Sequence, residues 1–269
     1  MIAMDAPQQF SKDEMELIRQ EGDRGMRLAA GHVTGSVNHV HSHESIEALE
    51  SSGVAVMRGK ARFTSARTMQ VTHSNGSVTD VLGRRFLVCT GAEPEIPGLK
   101  GLSGVKYWTY QNVLRHPPTE LPRSLIVLGG GPVGCELAQA FQRLGSKVTI
   151  VAPSILPRES LRAQQVMADI LVNTTGIRWV QGRAREVLRR MPGEVTVLLE
   201  GADAGFVVAS QLLVASGRKA RTNDLALAKA GVTFGKEGIL VDNEQRSSAR
   251  HILAAGDCCT SRPALASAW

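Results

Sequence analysis

Only 4% of the 269 residues are aromatic, too few to build the stacked platforms on which single-stranded nucleic acids are held. That scarcity argues against a nucleic-acid partner despite a formal net charge of +6. The basic residues are scattered, in short groups such as Arg183–Arg185 and Arg189-Arg190, instead of gathered into one stripe. No apolar run approaches the roughly 20 residues that cross a bilayer, so no membrane partner is expected. The opening residues, Met1 to Pro7, lack a basic segment followed by an apolar stretch and do not form a secretory signal, which points to a cytoplasmic location. Cysteine is sparse as well. Cys89, Cys135, Cys258 and Cys259 show no Cys-x-x-Cys spacing, which excludes a zinc ribbon and a redox dithiol of that type. Cys89 and Cys135 lie in apolar strand and helix patterns and are expected as small buried hydrophobes, and the adjacent pair as buried beside a turn.

Local patterning fills the rest of the chain with alternating elements. Ser11-Lys12-Asp13-Glu14 offers a capping box for a helix over roughly 11–30, followed by a polar connection and a short helix near Ser45–Leu49. His39-Val40-His41-Ser42-His43 in that connection reads as a solvated loop; extended, it would turn three imidazoles to one side as metal ligands. Short strands are expected at Gly53–Met57, Ala61–Phe63, Thr68–Thr72, Val78–Leu82 and Arg85–Cys89. Pro117-Pro118 and Pro122 mark a boundary. Beyond it come a strand from Leu125, a helix over Pro132–Leu144 stopped by Gly145, and a strand over Lys147–Val151. A helix at 160–172, strands at 177–180, Val187, Val195–Leu199, Leu212–Ala215, Ile239–Asp242 and Ile252–Ala255, and the start of a helix at Pro263–Trp269 complete the chain.

The chemistry concentrates at Leu125-Ile126-Val127-Leu128-Gly129-Gly130-Gly131-Pro132-Val133-Gly134-Cys135-Glu136, a buried strand running into Gly-x-Gly-x-x-Gly and a helix. Gly129 permits the tight turn, Gly131 lets the backbone approach a pyrophosphate, and Gly134 allows close helix–strand packing. Pro132 and Val133 open the helix, whose free N–H groups and positive dipole end favour an anion. At the end of the next strand, about 20 residues beyond the first glycine, NAD binders place a carboxylate on the ribose. Here stand Ala152-Pro153-Ser154, with Arg158 nearby, which favours NADP(H) over NAD(H).

Two further segments, Thr90-Gly91-Ala92 and Ala254-Ala255-Gly256-Asp257, are strand ends with small-residue turns. With the central motif and Ala215-Ser216-Gly217-Arg218, in this order, they make the chain resemble the pyridine nucleotide-disulfide oxidoreductases, two-dinucleotide flavoproteins, in their mercuric reductase-like and dihydrolipoamide dehydrogenase-like branch. The resemblance runs from about Gly53 to Asp257. It implies an α/β fold in which a Rossmann-like NAD(P) domain (119–236) is inserted into an FAD-binding domain (1–118 and 237–269). It further implies that Glu136 sits near the nicotinamide and Gly217 lines its pocket, that Thr90, Gly91, Ala92 and Gly256 bring backbone to the FAD, and that Asp257 bonds its ribityl chain.

Three parts of that family pattern are missing: a first Gly-x-Gly-x-x-Gly within residues 1–60, the redox cysteine pair that follows it, and a C-terminal interface domain, through which relatives form homodimers. The FAD domain is therefore expected to be incomplete, the chain truncated at both ends, and no catalytic residue is assigned. The expected function is FAD-dependent transfer of hydride from NAD(P)H to an unidentified acceptor. The alternatives are a catalytically silent NAD(P)-binding protein and an incomplete gene product.

Overall fold

The computed structural model describes residues 22–260 apart from 44, 190, 192 and 202. Helices α1 (Asp23–His43) and α2 (Ile46–Ser51) are followed by strands β1 (Lys60–Phe63), β2 (Thr68–Thr72), β3 (Val78–Leu82), β4 (Phe86–Val88) and β5 (Ala92–Pro94). Next come α3 (Tyr110–Arg115), β6 (Ser124–Leu128), α4 (Pro132–Leu144), β7 (Lys147–Val151), α5 (Leu161–Asp169) and β8 (Arg178–Val180). The remaining strands are β9 (Arg183–Leu188), β10 (Val195–Glu200), β11 (Gly205–Ala209), β12 (Gln211–Val214), β13 (Arg218–Ala220), β14 (Phe234–Gly235), β15 (Gly238–Leu240), β16 (Ile252–Ala254) and β17 (Cys259–Thr260). The chain divides into two compact units, Met1–His43 with Pro94–Gly217 and Glu44–Glu93 with Arg218–Trp269.

In the first unit four parallel strands stand in the order β12-β6-β7-β8. Strand β6 is apolar from Leu125 to Leu128, where both of its faces are covered. Leu125 and Val127 pack with Cys135, Ala138 and Phe141 of α4. Ile126 and Leu128 point the other way, into a cluster with Val187, Val197 and Val207 of the antiparallel sheet β11-β10-β9. Helix, parallel sheet and antiparallel sheet thus form three layers, and the glycine motif lies where β6 leaves the middle one. Helix α4 begins with Pro132 in its first turn and ends at Gly145, whose φ of 109° is the left-handed stop that glycine adopts freely.

The second unit contains the antiparallel sheet β1-β2-β3 and the parallel pair β16-β4. Phe63, Leu227, Ile239 and Ile252 are fully buried in its core, and Phe63 meets Phe86 edge-on with ring centroids 5.2 Å apart.

Several local expectations are corrected. The expected helix at 11–30 is described only from residue 23, and the helix runs on to His43. The histidine tract is therefore helical rather than a loop or a strand. A helix turns 100° per residue, which sends His39 and His41 to different sides. Packing of Met26 and Ala30 and an Asp23 Oδ1 bond from the Leu121 N–H (2.8 Å) anchor this helix despite its glycines and β-branched residues. Gly53–Met57 forms no strand; Val54 and Met57 are exposed. Helix α5 stops at Asp169 and widens into a π-type turn over Ile170–Thr174. Cys89 is exposed, not buried, because β4 ends at Val88. Cys258 is buried as expected, and Cys259 is partly so. The helix start at Pro263–Trp269 lies outside the described residues.

Candidate dinucleotide site

The glycines of the central loop have different physical jobs. Gly129 has φ 120°, and a Cβ there would strike the carbonyl oxygen of Ala215 beside the end of β12. A Cβ on Gly130 would meet the Ser154 carbonyl, and one on Gly134 the Gly129 carbonyl. Gly131 differs from all three: its φ is −73°, and nothing lies within 4 Å of where its Cβ would be. Three glycines are thus demanded by the protein's own packing, while the space at Gly131 is left open. Gly131 is also the N-cap of α4 and, lacking a side chain, caps nothing. The first intrahelical bond is Cys135 N–H to Gly131 O at 3.0 Å, which leaves the Val133 and Gly134 N–H groups turned out of the helix end. Open space beside helix N–H groups that have no intrahelical partner suits the approach of a diphosphate.

One wall of this site was not legible in the sequence. After β7 the chain runs through Ala152-Pro153-Ser154-Ile155-Leu156 and returns to the loop, where the Leu156 N–H donates to Gly130 O at 2.7 Å. Leu156 holds a φ of 47°, an unusual conformation for a leucine. Ile155 is buried beneath it. No carboxylate stands on the segment 152–158, and Arg158 is exposed just past the tethered point.

Cys135 is locked into the same structure, its thiol donating to Gly130 O at 3.4 Å. Burial pushes its pKa up from 9.0 to about 11; the Glu136 carboxylate adds to the rise, and the Leu156 N–H opposes it. A raised folded-state value means that the protonated thiol stabilises the fold fully below pH 9, and that this contribution disappears as pH climbs through 11. At about 1.4 kcal/mol per unit, the loss reaches roughly 2–3 kcal/mol. Urea unfolding of wild type and Cys135→Ala between pH 8.5 and 11.5 is expected to show their difference shrinking by that amount. A pH-independent difference would contradict it.

In the second unit, parallel pairing of Val88 with Ala254 brings two distant segments to the same sheet end. Thr90-Gly91-Ala92 follows β4 and Ala255-Gly256-Asp257 follows β16, joined by the Ala255 N–H to Val88 O bond of 3.0 Å. Thr90 Oγ1 donates to Arg221 O at 2.7 Å, and the Arg221 N–H returns a bond to Gly91 O at 3.0 Å. Gly91 and Gly256 have φ values of 67° and 79°, with open space where a Cβ would stand. Asp257 is ion-paired with Arg218, both half exposed. Ligands of open α/β sheets gather at the carboxyl ends of parallel strands, and both glycine turns lie at such an end.

The sequence profile of the family described as pyridine nucleotide-disulphide oxidoreductase matches residues 8–268. The chain belongs to that family. It is 36% identical over 214 residues to a mercuric reductase of Shigella flexneri, covering 76% of this chain and 36% of the relative. It is 35% identical over 224 residues to a dihydrolipoyl dehydrogenase of Thermus scotoductus, covering 81% and 46% respectively. Among solved structures, the HOCl-induced flavoprotein disulfide reductase RclA from Escherichia coli superposes with a TM-score of 0.74 at 25% identity, over 92% of this chain and 55% of that one. The chain thus spans less than half the length of these curated relatives, and the branch expected from its motifs is the one they represent.

In this chain the expected site residues fall into two groups. Gly129, Gly131, Pro132, Val133 and Gly134 form the loop and helix end of the first unit. There Arg158 follows the adjoining wall, Glu136 is exposed at the start of the second turn of α4, and Gly217 follows β12 next to Glu95, whose N–H donates to Gly217 O at 2.9 Å. Thr90, Gly91, Ala92, Gly256 and Asp257 form the two strand-end turns of the second unit. The open Gly131 cradle and uncapped helix end fit the diphosphate of a nicotinamide dinucleotide. For a flavin the fit is partial: the turns are present, but α2 of this unit has its N-terminus capped by Ser45 Oγ, at 3.1 Å from Ala48 N, with no glycine loop before it. Among the described residues of this unit, no helix end matches the uncapped, glycine-flanked N-terminus of α4.

Proposed function

We propose that the chain binds NADP(H) through residues 119–236 and serves an FAD-dependent oxidoreductase that passes reducing equivalents to an acceptor. The observation that carries this reading is the contrast within the glycine loop: packing explains Gly129, Gly130 and Gly134, while Gly131 keeps open space at the N-terminus of α4, where a diphosphate can approach the backbone. In this reading the Val133 and Gly134 N–H groups donate to the diphosphate oxygens. Arg158 supplies the positive charge for a ribose 2′-phosphate, and Ala152-Pro153-Ser154 brings no carboxylate to repel it. Glu136 and Gly217 flank the nicotinamide end. Segments 1–118 and 237–269 contribute to the flavin side, where Gly91 and Gly256 admit close backbone approach and Asp257 accepts a bond from a ribityl hydroxyl. Nicotinamide, when bound, supplies a hydride equivalent for flavin reduction.

The capped end of α2 favours a second reading, a catalytically silent NADP(H) binder. Absorbance of the purified chain separates the two: a bound flavin bleached by NADPH supports the oxidoreductase, and a colourless protein that binds NADPH supports the silent binder. Calorimetric titration tests the nucleotide assignment. NADPH is expected to bind more tightly than NADH, and Arg158→Ala to lower the ratio of the two affinities about ten-fold, the worth of one charge-assisted contact to phosphate. Tighter binding of NADH would sink the NADP(H) preference.

A further inference from the structure

The wall beside the glycine loop is held from the neighbouring strand. Trp179 of β8 donates its indole N–H to the Ala152 carbonyl at 2.9 Å. Two residues on, Gln181 Nε2 donates to the Pro153 carbonyl at 3.3 Å. Gln181 is itself anchored, its N–H bonding Asp203 Oδ2 at 2.8 Å and its carbonyl accepting the Asp203 N–H at 3.2 Å. At the far end the Leu156 N–H is tied to Gly130, with Leu156 in the left-handed region. A leucine keeps such a conformation only where its surroundings over-determine it. The segment carrying Ser154 and leading to Arg158 is therefore fixed at both ends, once by the glycine loop and once by β8.

We infer that Trp179 is a positioning residue for nucleotide selection: its indole N–H sets the path of Ala152–Leu156 and thereby where Arg158 stands relative to the ribose. Ligand contact is left to Arg158, and Trp179 acts through the Ala152 carbonyl. The inference rests on the NADP(H) reading above. It separates a residue that chooses between nucleotides from one that only supports the sheet.

The test is calorimetric titration of NADPH and NADH into the full chain and its Trp179→Phe variant, which keeps a ring in the core and removes the donor. Loss of one neutral hydrogen bond is expected to lower the NADPH:NADH affinity ratio roughly five-fold. In an Arg158→Ala background the same change is expected to leave the ratio where Arg158→Ala put it, because the two act through one contact. If Trp179→Phe fails to fold, Gln181→Ala, at an exposed position, is expected to move the ratio in the same direction. An unchanged ratio, or two affinities that fall together, would overturn the role of Trp179 alone. Wild type that binds neither nucleotide, or prefers NADH, would overturn the reading beneath it.

Discussion

Replacing Gly131 by aspartate is expected to reduce NADPH affinity at least about 100-fold while leaving stability unchanged or slightly raised. The position is the N-cap of α4, with φ −73° and ψ 176°, a backbone that aspartate adopts without strain. No atom lies within 4 Å of the new Cβ, so nothing in the fold resists it. Aspartate is among the preferred N-cap residues and gains a few tenths of a kcal/mol over glycine there. The same carboxylate would occupy the N–H groups offered to a diphosphate and oppose its charge, and like charges so placed cost several kcal/mol. At 1.4 kcal/mol per factor of ten, two decades of affinity are the minimum expected. If the loop were only a structural turn, the substitution would leave ligand binding as it was.

Gly129→Ala is expected to do the opposite, costing the fold about 3–5 kcal/mol in urea unfolding. A positive φ costs a non-glycine residue about 1–3 kcal/mol, and overpacking adds a similar amount. At Gly129 both apply, since φ is 120° and the Cβ would press on the Ala215 carbonyl. Relief by movement is limited, because the Ala215 N–H is bonded to Leu128 O at 2.8 Å, which holds β12 to β6. An unfolding midpoint within error of wild type would show that the loop is looser than its packing indicates. Two glycines two residues apart are thus expected to fail in different ways, one in binding and one in folding.

The βαβ start of the first unit was legible because each boundary carries its own signal. Leu125–Leu128 is a doubly buried strand, Pro132 opens α4 and Gly145 closes it. Strand β11 is absent from the strands expected above, which place one at Leu212–Ala215 and none over Gly205–Ala209, just before Ser210. The chain turns there through reciprocal bonds with a residue far away in sequence: Ser210 N–H to Ser124 Oγ at 2.9 Å and Ser124 N–H to Ser210 Oγ at 3.0 Å. The histidine tract was misread because polarity is a weak signal, while the contacts that set its helix lie in the first turns, at Asp23, Met26 and Ala30. Gly53–Met57 has strand-like composition but is mostly exposed. Of the candidate site, the glycine motif could be read from spacing. The Trp179 and Gln181 braces could not, since they arise from the β7–β8 register that aligns Ile150 with Trp179.

The measurement that bears most directly on the dinucleotide site is calorimetric titration of NADPH into wild type and Gly131→Asp, with urea unfolding of both. The expected result is saturable one-to-one binding by wild type, at least about 100-fold weaker binding by the variant, and an unfolding midpoint of the variant no lower than that of wild type. Equal affinity in the two proteins, or no binding by wild type, would contradict the assignment of this loop as a dinucleotide seat.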